Sequence, residues 1–261
     1  MGEAADTLAR QTVLAVFAHP DDESLSCGGT LARLADAGAH VVVMCATCGE
    51  RGSADGVYRN HALGRQRATE LREAATALGI SEVLLLNHQD GYLPWQDVTD
   101  FTAEIALFMR NRRPAAVITF DQDGLYWHPD HIAVHERVVA AARSLGPDAP
   151  PVYAVTMVRG LMTEIVDAAA ARGWATPSGG FWSLHPDAFG KFATPHTLEV
   201  NVGPWVKRKL DAIRAHESQM GQAHPLSELS EPDAVRWLGR EFFRRLDLPS
   251  RGTTVLEDLC A

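Results

Sequence analysis

A chain of 261 residues, 46% hydrophobic and 22% charged, holds enough apolar material for one sizeable core, which excludes a disordered chain and fits a single domain with insertions. Its formal charge of −9, with basic residues clustered only at Arg110, Arg112, Arg113 and Lys207, Arg208, Lys209, argues against nucleic acid as a partner, since a phosphate backbone would be repelled. The opening residues MGEAADTLARQT contain no apolar signal-type stretch and no segment offers eighteen uninterrupted apolar residues, so the expectation is a cytoplasmic chain without a membrane partner.

Through the first 160 residues short apolar runs alternate with amphipathic stretches, the pattern of βαβ units around a mostly parallel sheet. Strands are predicted at 13–17, 40–46, 82–86, 115–120 and 152–158, with helices between them at 24–37, 63–78, 98–111 and 129–144. Gly38 and Gly79 stand where left-handed caps would close two of these helices, and Pro114 restarts the chain after a third. The alternation then weakens. Residues 172–196, RGWATPSGGFWSLHPDAFGKFATPH, predict a long loop or insertion. A further strand is predicted at 198–202, a helix from Pro204 to Met220 and another at 233–245. The predicted fold class is α/β, a Rossmann-like, mostly parallel sheet with helices on both faces. It forms one domain over 1–261, with a core at about 12–160, a variable loop or lid at about 160–196 and a C-terminal strand and helices at 197–250.

Cys27, Cys45, Cys48 and Cys260 are too unevenly spaced for a disulfide framework. The pair Cys45 and Cys48 lacks the second pair, or the histidines, that a zinc ribbon needs, and reads as thiols at a strand end. Arginine outnumbers lysine 21 to 3, a bias that hints at a GC-rich bacterial genome.

In an open parallel sheet ligands sit beyond the carboxyl ends of the strands, and here every such end is polar. The first strand runs into His19, Asp21, Asp22 and Glu23; the third into His88 and Asp90; the fourth into DQDGLYWHPDHIAVHE, which carries His128, Asp130, His131 and His135. His19 and Asp22 lie three apart across a proline turn, and His131 lies on the first turn of a helix begun by Pro129. Together they make a three-ligand set that suits Zn2+ and leaves a position open for water. Asp21 is then placed to take a proton from a water that the metal acidifies to a pKa of about 7. His128 can face the substrate from the other side, steadying an oxyanion as an imidazolium and protonating a leaving amine. By spacing alone His135, four residues after His131, competes with it as a ligand.

AHPDDE at 18–23 with HPDH at 128–131 resembles the PIG-L/LmbE-like family of zinc-dependent N-deacetylases. CATCGERGS, RQRATELREAATALG and PWVKRKLDAIRAHESQ extend the likeness over most of the chain, most weakly between about 160 and 196. The resemblance implies His19, Asp22 and His131 as zinc ligands, thereby choosing His131 over His135. It further implies Asp21 as general base, His128 as oxyanion or proton-donating group, and Arg67 and Asp90 as sugar contacts. It also implies a small-molecule amino-sugar substrate and admits a homo-oligomer.

Trp127 precedes the second motif where relatives often carry glycine, so it is expected to reshape the pocket mouth and touch substrate. Trp174, Phe181, Trp182, Phe189 and Phe192 read either as a lid over an apolar substituent or as a satellite core under a long loop. The expected function is zinc-dependent removal of an N-acetyl or N-acyl group from an amino sugar. The alternative is a mycothiol S-conjugate amidase, which shares the chemistry. A non-hydrolytic nucleotide- or sugar-binding protein would rest on Gly28 and Gly29, which lack the G-x-G-x-x-G spacing.

Overall fold

The computed structural model describes residues 8–9, 11–52, 61–174, 184–220, 225–226 and 228–260. Its elements in chain order are β1 (Thr12–Phe17), α1 (Asp22–Asp36), β2 (His40–Thr47), α2 (His61–Leu78), β3 (Glu82–His88), α3 (Val98–Arg112), β4 (Ala116–Phe120), α4 (Pro129–Leu145), β5 (Val152–Thr156), α5 (Leu161–Ala171), β6 (Leu198–Asn201), α6 (Val206–Ala215), α7 (Glu231–Leu238) and β7 (Arg240–Arg245). Short helical turns join several of them. The strands form one sheet in the order β3-β2-β1-β4-β5-β7-β6, parallel from β3 to β5 and antiparallel on both sides of β7.

The central strands are apolar along their length because both faces are covered: β4 and β5 are buried at every residue, and β1 at all but its first. Right-handed crossovers carry α1 and α2 over one face as the chain steps outward to β3, and α3 and α4 over the other as it returns to β4 and moves out to β5. α6 packs beside α1 and α2, while α3 packs against α4. Phe17 and Phe120 meet edge to face at 5.0 Å between β1 and β4, in the middle of the core. Because β2 and β4 flank β1 on opposite sides, the direction of winding reverses between β1 and β4. A crevice opens there at the carboxyl edge of the sheet.

The strands and helices before residue 150 fall within two residues of the predicted bounds, and Gly38 takes the left-handed cap at φ 86. Three expectations after it are corrected. The alternation does not lapse at 160, because α5 fills Leu161–Ala171; only the short turn Pro186–Ala188 lies among the described residues of 172–196. The helix expected from Pro204 to Met220 breaks at His216, whose ring bonds Glu23, and resumes as the turn Glu217–Met220, within which Ser218 gives its amide to Glu70. The helix expected at 233–245 is α7 followed by β7, a strand inserted between β5 and β6 with Phe243 buried against Val155. No helix among the described residues is long and apolar enough to cross a membrane.

Candidate active site

At the end of β1 the chain turns through His19-Pro20-Asp21-Asp22 into α1. The His19 amide donates to Asp22 Oδ2 at 2.7 Å, which closes the turn and puts the imidazole and the carboxylate side by side. At the end of β4, residues 121–128 loop back before Pro129 opens α4, and His131 on the first helical turn lies flat on Phe120, 3.9 Å between ring centres. Asp21, Leu125 and Trp127 all have positive φ, at 118°, 67° and 66°. Backbone strain of this kind, on non-glycine residues, gathers where side chains must be presented in one place.

The two stretches meet over the crevice. Asp22 lies between two rings, its Oδ2 3.4 Å from His19 Nδ1 and its Oδ1 3.2 Å from His131 Nε2. The far nitrogen of each ring is tied elsewhere. His19 Nε2 is 3.2 Å from both Asp90 Oδ1 and Asp130 Oδ2, and His131 Nδ1 donates to the Gly124 carbonyl at 3.2 Å. Such outer partners fix the tautomer of a metal-ligating histidine, leaving the inner nitrogen as a lone pair. His131 Nε2 accordingly is a buried nitrogen that makes no hydrogen bond despite its nearness to Asp22, as suits an atom whose partner is a cation. One ring nitrogen from each of His19, His128 and His131 lies within 4.8 Å of the other two, as do donor atoms of His19, Asp90 and Asp130. The donor set of imidazole and carboxylate fits a divalent zinc-type ion. His135 is drawn away from this cluster, its Nδ1 donating to the Phe120 carbonyl at 2.9 Å.

The electrostatics follow from burial of opposite charges. Burial opposes ionisation of Asp22, but His131 and His19 outweigh it and hold the carboxyl well below its ordinary value. Burial likewise works to lower the His19 pKa, and Asp130, Asp22 and Asp90 together raise it instead. Asp90, against its own burial, is held down to about 2 by His19, the Arg51 amide and the charge of Arg67. Asp21 behaves differently. Burial pushes its carboxyl up to about 6, with Asp22 adding to the shift and Arg67, 3.2 Å away, restraining it. That value suits a proton acceptor working near neutrality.

Arg67 is 3% exposed, and besides Asp21 its guanidinium donates to the Gly49 and Pro20 carbonyls, so it holds the Asp21 carboxylate in place while its edge lines the cavity. His128 is the N-cap of α4, its Nδ1 accepting the Asp130 amide at 3.2 Å. Burial, then the electrostatic influence of the His131 and His19 rings, lowers its pKa to about 4. The ring is therefore neutral near pH 7, with its proton on Nε2, rather than the imidazolium expected from sequence.

Asp130 is a member of the cluster to which the sequence alone assigns no role. Fully buried, it accepts the Gly91 and Leu93 amides at 2.7 and 3.2 Å as well as facing His19, so it joins the loop after β3 to the metal-type ligands. Its signal was its place inside the second His-Pro-Asp-His stretch. Glu23 and His216 were also missed. His216 Nε2 lies 2.9 Å from Glu23 Oε1, and Glu23 Oε2 accepts the Asp21 amide at 3.1 Å, buttressing the strained Asp21 backbone from a residue 193 positions away. Trp127, expected to touch substrate, is half-exposed and does not line the cavity; its ring lies 5.8 Å from that of Phe192. Of the five aromatics expected as a lid or a satellite core, Phe181 and Trp182 lie outside the described residues, Trp174 lies under Arg172, Phe189 is buried and Phe192 is exposed.

The cluster opens into a cavity of about 550 Å³, lined on one side by Arg51, Gly52, Arg67, Asp90 and Gly91, and on the other by apolar residues of β5, α5 and α7. Gly28 and Gly29 do not serve a phosphate. A Cβ on Gly29 would lie 2.5 Å from Val202 Cβ, and the amides of Gly29 and Thr30, freed by a non-helical Cys27 within α1, donate to Glu241 at 2.9 and 2.7 Å. Cys27, Cys45, Cys48 and Cys260 are all free thiols.

The PIG-L family, described as GlcNAc-PI de-N-acetylase, matches over residues 14–142. A 1D-myo-inositol 2-acetamido-2-deoxy-alpha-D-glucopyranoside deacetylase from Thermobispora bispora is 32% identical, the alignment covering 90% of this chain and 88% of the relative. Among solved structures, the N,N'-diacetylchitobiose deacetylase of Pyrococcus horikoshii superposes with a TM-score of 0.63 at 23% identity, over 90% of this chain and 84% of its own. GalB, a 4-carboxy-2-hydroxymuconate hydratase from a pseudomonad, superposes equally well, TM-score 0.63 at 20% identity over 90% and 96%. These structural likenesses establish the fold and leave the reaction to the site.

Proposed function

The chain belongs to the PIG-L family of de-N-acetylases, and on that premise we propose that it hydrolyses the amide of an N-acylated amino sugar with zinc held by His19, Asp22 and His131. The observation that carries the metal assignment is the pair of buried rings whose outer nitrogens are anchored while their inner nitrogens face the two oxygens of one carboxylate. Zinc bound there supplies Lewis-acid polarisation of the amide carbonyl and acidifies water towards a pKa of about 7.

The chain's own side chains then manage protons and charge. Asp21 accepts one proton from the attacking water, its carboxylate oriented by Arg67 and its backbone by Glu23. Neutral His128, committed through Nδ1 to the Asp130 amide, donates from Nε2–H to the oxygen on which negative charge develops. The proton collected by Asp21 passes to the nitrogen as the carbon–nitrogen bond breaks, so a carboxylic acid and a free amino sugar leave the site. Asp90 and Arg67 on the polar side of the cavity are the proposed contacts for sugar hydroxyls. The partner is a small molecule, in a cytoplasmic setting. The relatives' names favour an amino-sugar amide over a thiol-conjugate amide, and make inositol-linked N-acetylglucosamine the first substrate to test.

Amine release from that glycoside by zinc-loaded protein, against a chelated control, tests the reading. Asp21→Asn is expected to lower kcat by about 10²–10⁴-fold with bound zinc unchanged. Full activity in that variant at unchanged zinc content would remove Asp21 from the mechanism.

A further inference from the structure

The cavity is divided by chemistry, with the His/Asp cluster on the dividing line. On the side reached from the ends of β2 and β3, the lining is Arg51, Asp90 and Arg67, with the backbone of Gly52 and Gly91. On the side reached from β5 it is Met157, Leu161, Met162, Ile165, Phe189 and Trp237, all but Met157 and Leu161 buried. The two buried charges that also border this apolar half are closed to a ligand: Lys209 Nζ lies 2.6 Å from Glu241 Oε1, and both Glu241 oxygens take amides of α1. Arg240 turns its guanidinium outward to Glu199 at 2.9 Å.

A sugar ring needs hydrogen-bonding partners for its hydroxyls, and the Arg51–Asp90 side concentrates them, whereas the β5 side offers only the Trp237 indole N–H and the Thr156 hydroxyl among apolar residues. An amide cleaved at the cluster has its amine on one side of the scissile bond and its acyl group on the other. With the sugar over β2 and β3, the acyl group projects towards β5. An acetyl methyl fills a small fraction of such a compartment, within a cavity whose whole volume, about 550 Å³, is of drug-binding size. We infer that the apolar half is an acyl-chain subsite and that the preferred substrates carry medium or long apolar N-acyl groups. This rests on the amide-hydrolase reading above and specifies its substrate class.

The test is a chain-length series, N-acetyl-, N-butyryl- and N-octanoylglucosamine, together with the octyl glycoside of N-acetylglucosamine, each assayed for free amine with zinc-loaded full-length protein. Burying a methylene corresponds to roughly fourfold in binding when fully realised, so kcat/KM for the octanoyl amide is expected to exceed that for acetyl at least tenfold. Leu161→Asp places an acid on the first residue of α5, where a helix N-terminus favours it, while turning the wall polar. It is expected to cut the octanoyl-to-acetyl ratio at least tenfold. Equal rates for the three amides, or a preference for acetyl, would overturn the inference while leaving the amide-hydrolase reading standing. A gain with the octyl glycoside in place of the octanoyl amide would also overturn it, by assigning the apolar half to the aglycone. Absence of amine from every compound would defeat the underlying reading itself.

Discussion

Asp21 adopts a backbone conformation that costs a non-glycine residue roughly 1–3 kcal/mol, and the turn that enforces it is bonded through Asp22, Glu23 and Arg67. Asp22 and Glu23, which close the turn, stand next to it in sequence, which is why the first motif could be read without a fold, whereas the support from Arg67 and His216 could not. The second motif was equally legible, because His128 and His131 sit together at a proline-begun helix. Asp130 lies in the same stretch, yet its role depends on Gly91, Leu93 and His19, contacts that no local pattern shows. Gly29 was legible only as a glycine. Val202 packs against its bare Cα, so Gly29→Ala forces a shift in α1 or β6 and is expected to cost about 1–3 kcal/mol, measurable by urea denaturation.

At the level of elements, the parallel strands were readable because burial on both faces makes them continuously apolar, and their helices because each ends at a cap or proline. β7 was not. DAVRWLGREFFRR has helical spacing throughout, and only its place between β5 and β6 makes its second half extended. That placement carries Glu241 under α1 to meet Lys209, an ion pair sealed from solvent. Breaking one side of such a pair leaves a buried charge, so Glu241→Gln is expected to destabilise by about 3–5 kcal/mol. Lys209→Met with Glu241→Leu is expected to recover much of that, although the Gly29 and Thr30 amides lose their acceptor. Equilibrium unfolding of the single and double variants checks both.

Across the whole molecule, His216 joins the C-terminal helices to the turn after β1. Burial tends to lower its pKa; Glu23, with Asp21 in support and Arg67 opposed, raises it instead. A group whose folded value is raised contributes its full stabilisation below the unfolded value of about 6.5, and loses it as pH climbs through the folded value. The melting temperature is therefore expected to fall as pH rises above about 6.5, and His216→Gln to flatten that fall. Thermal scans across this range, at fixed zinc, would show the two profiles diverging on the acid side and converging on the alkaline side.

The order β3-β2-β1-β4-β5-β7-β6 also sets a sequence of events during synthesis. His19, Asp21, Asp22, Arg67, Asp90, His128 and His131 all lie within the first 131 residues, around strands β1 to β4 and ahead of β5 in the chain. The apolar wall from α5 and α7, with its floor of Lys209 and Glu241, belongs to the second half. At ribosomal speeds of about 5–20 residues per second, the residues of the polar half emerge roughly 2–20 seconds before those of the apolar half. During that interval the edge of β4 that β5 pairs with, and the face of α1 that α6 covers, have no partner yet synthesised, so the first half of this fold cannot bury its own surfaces alone.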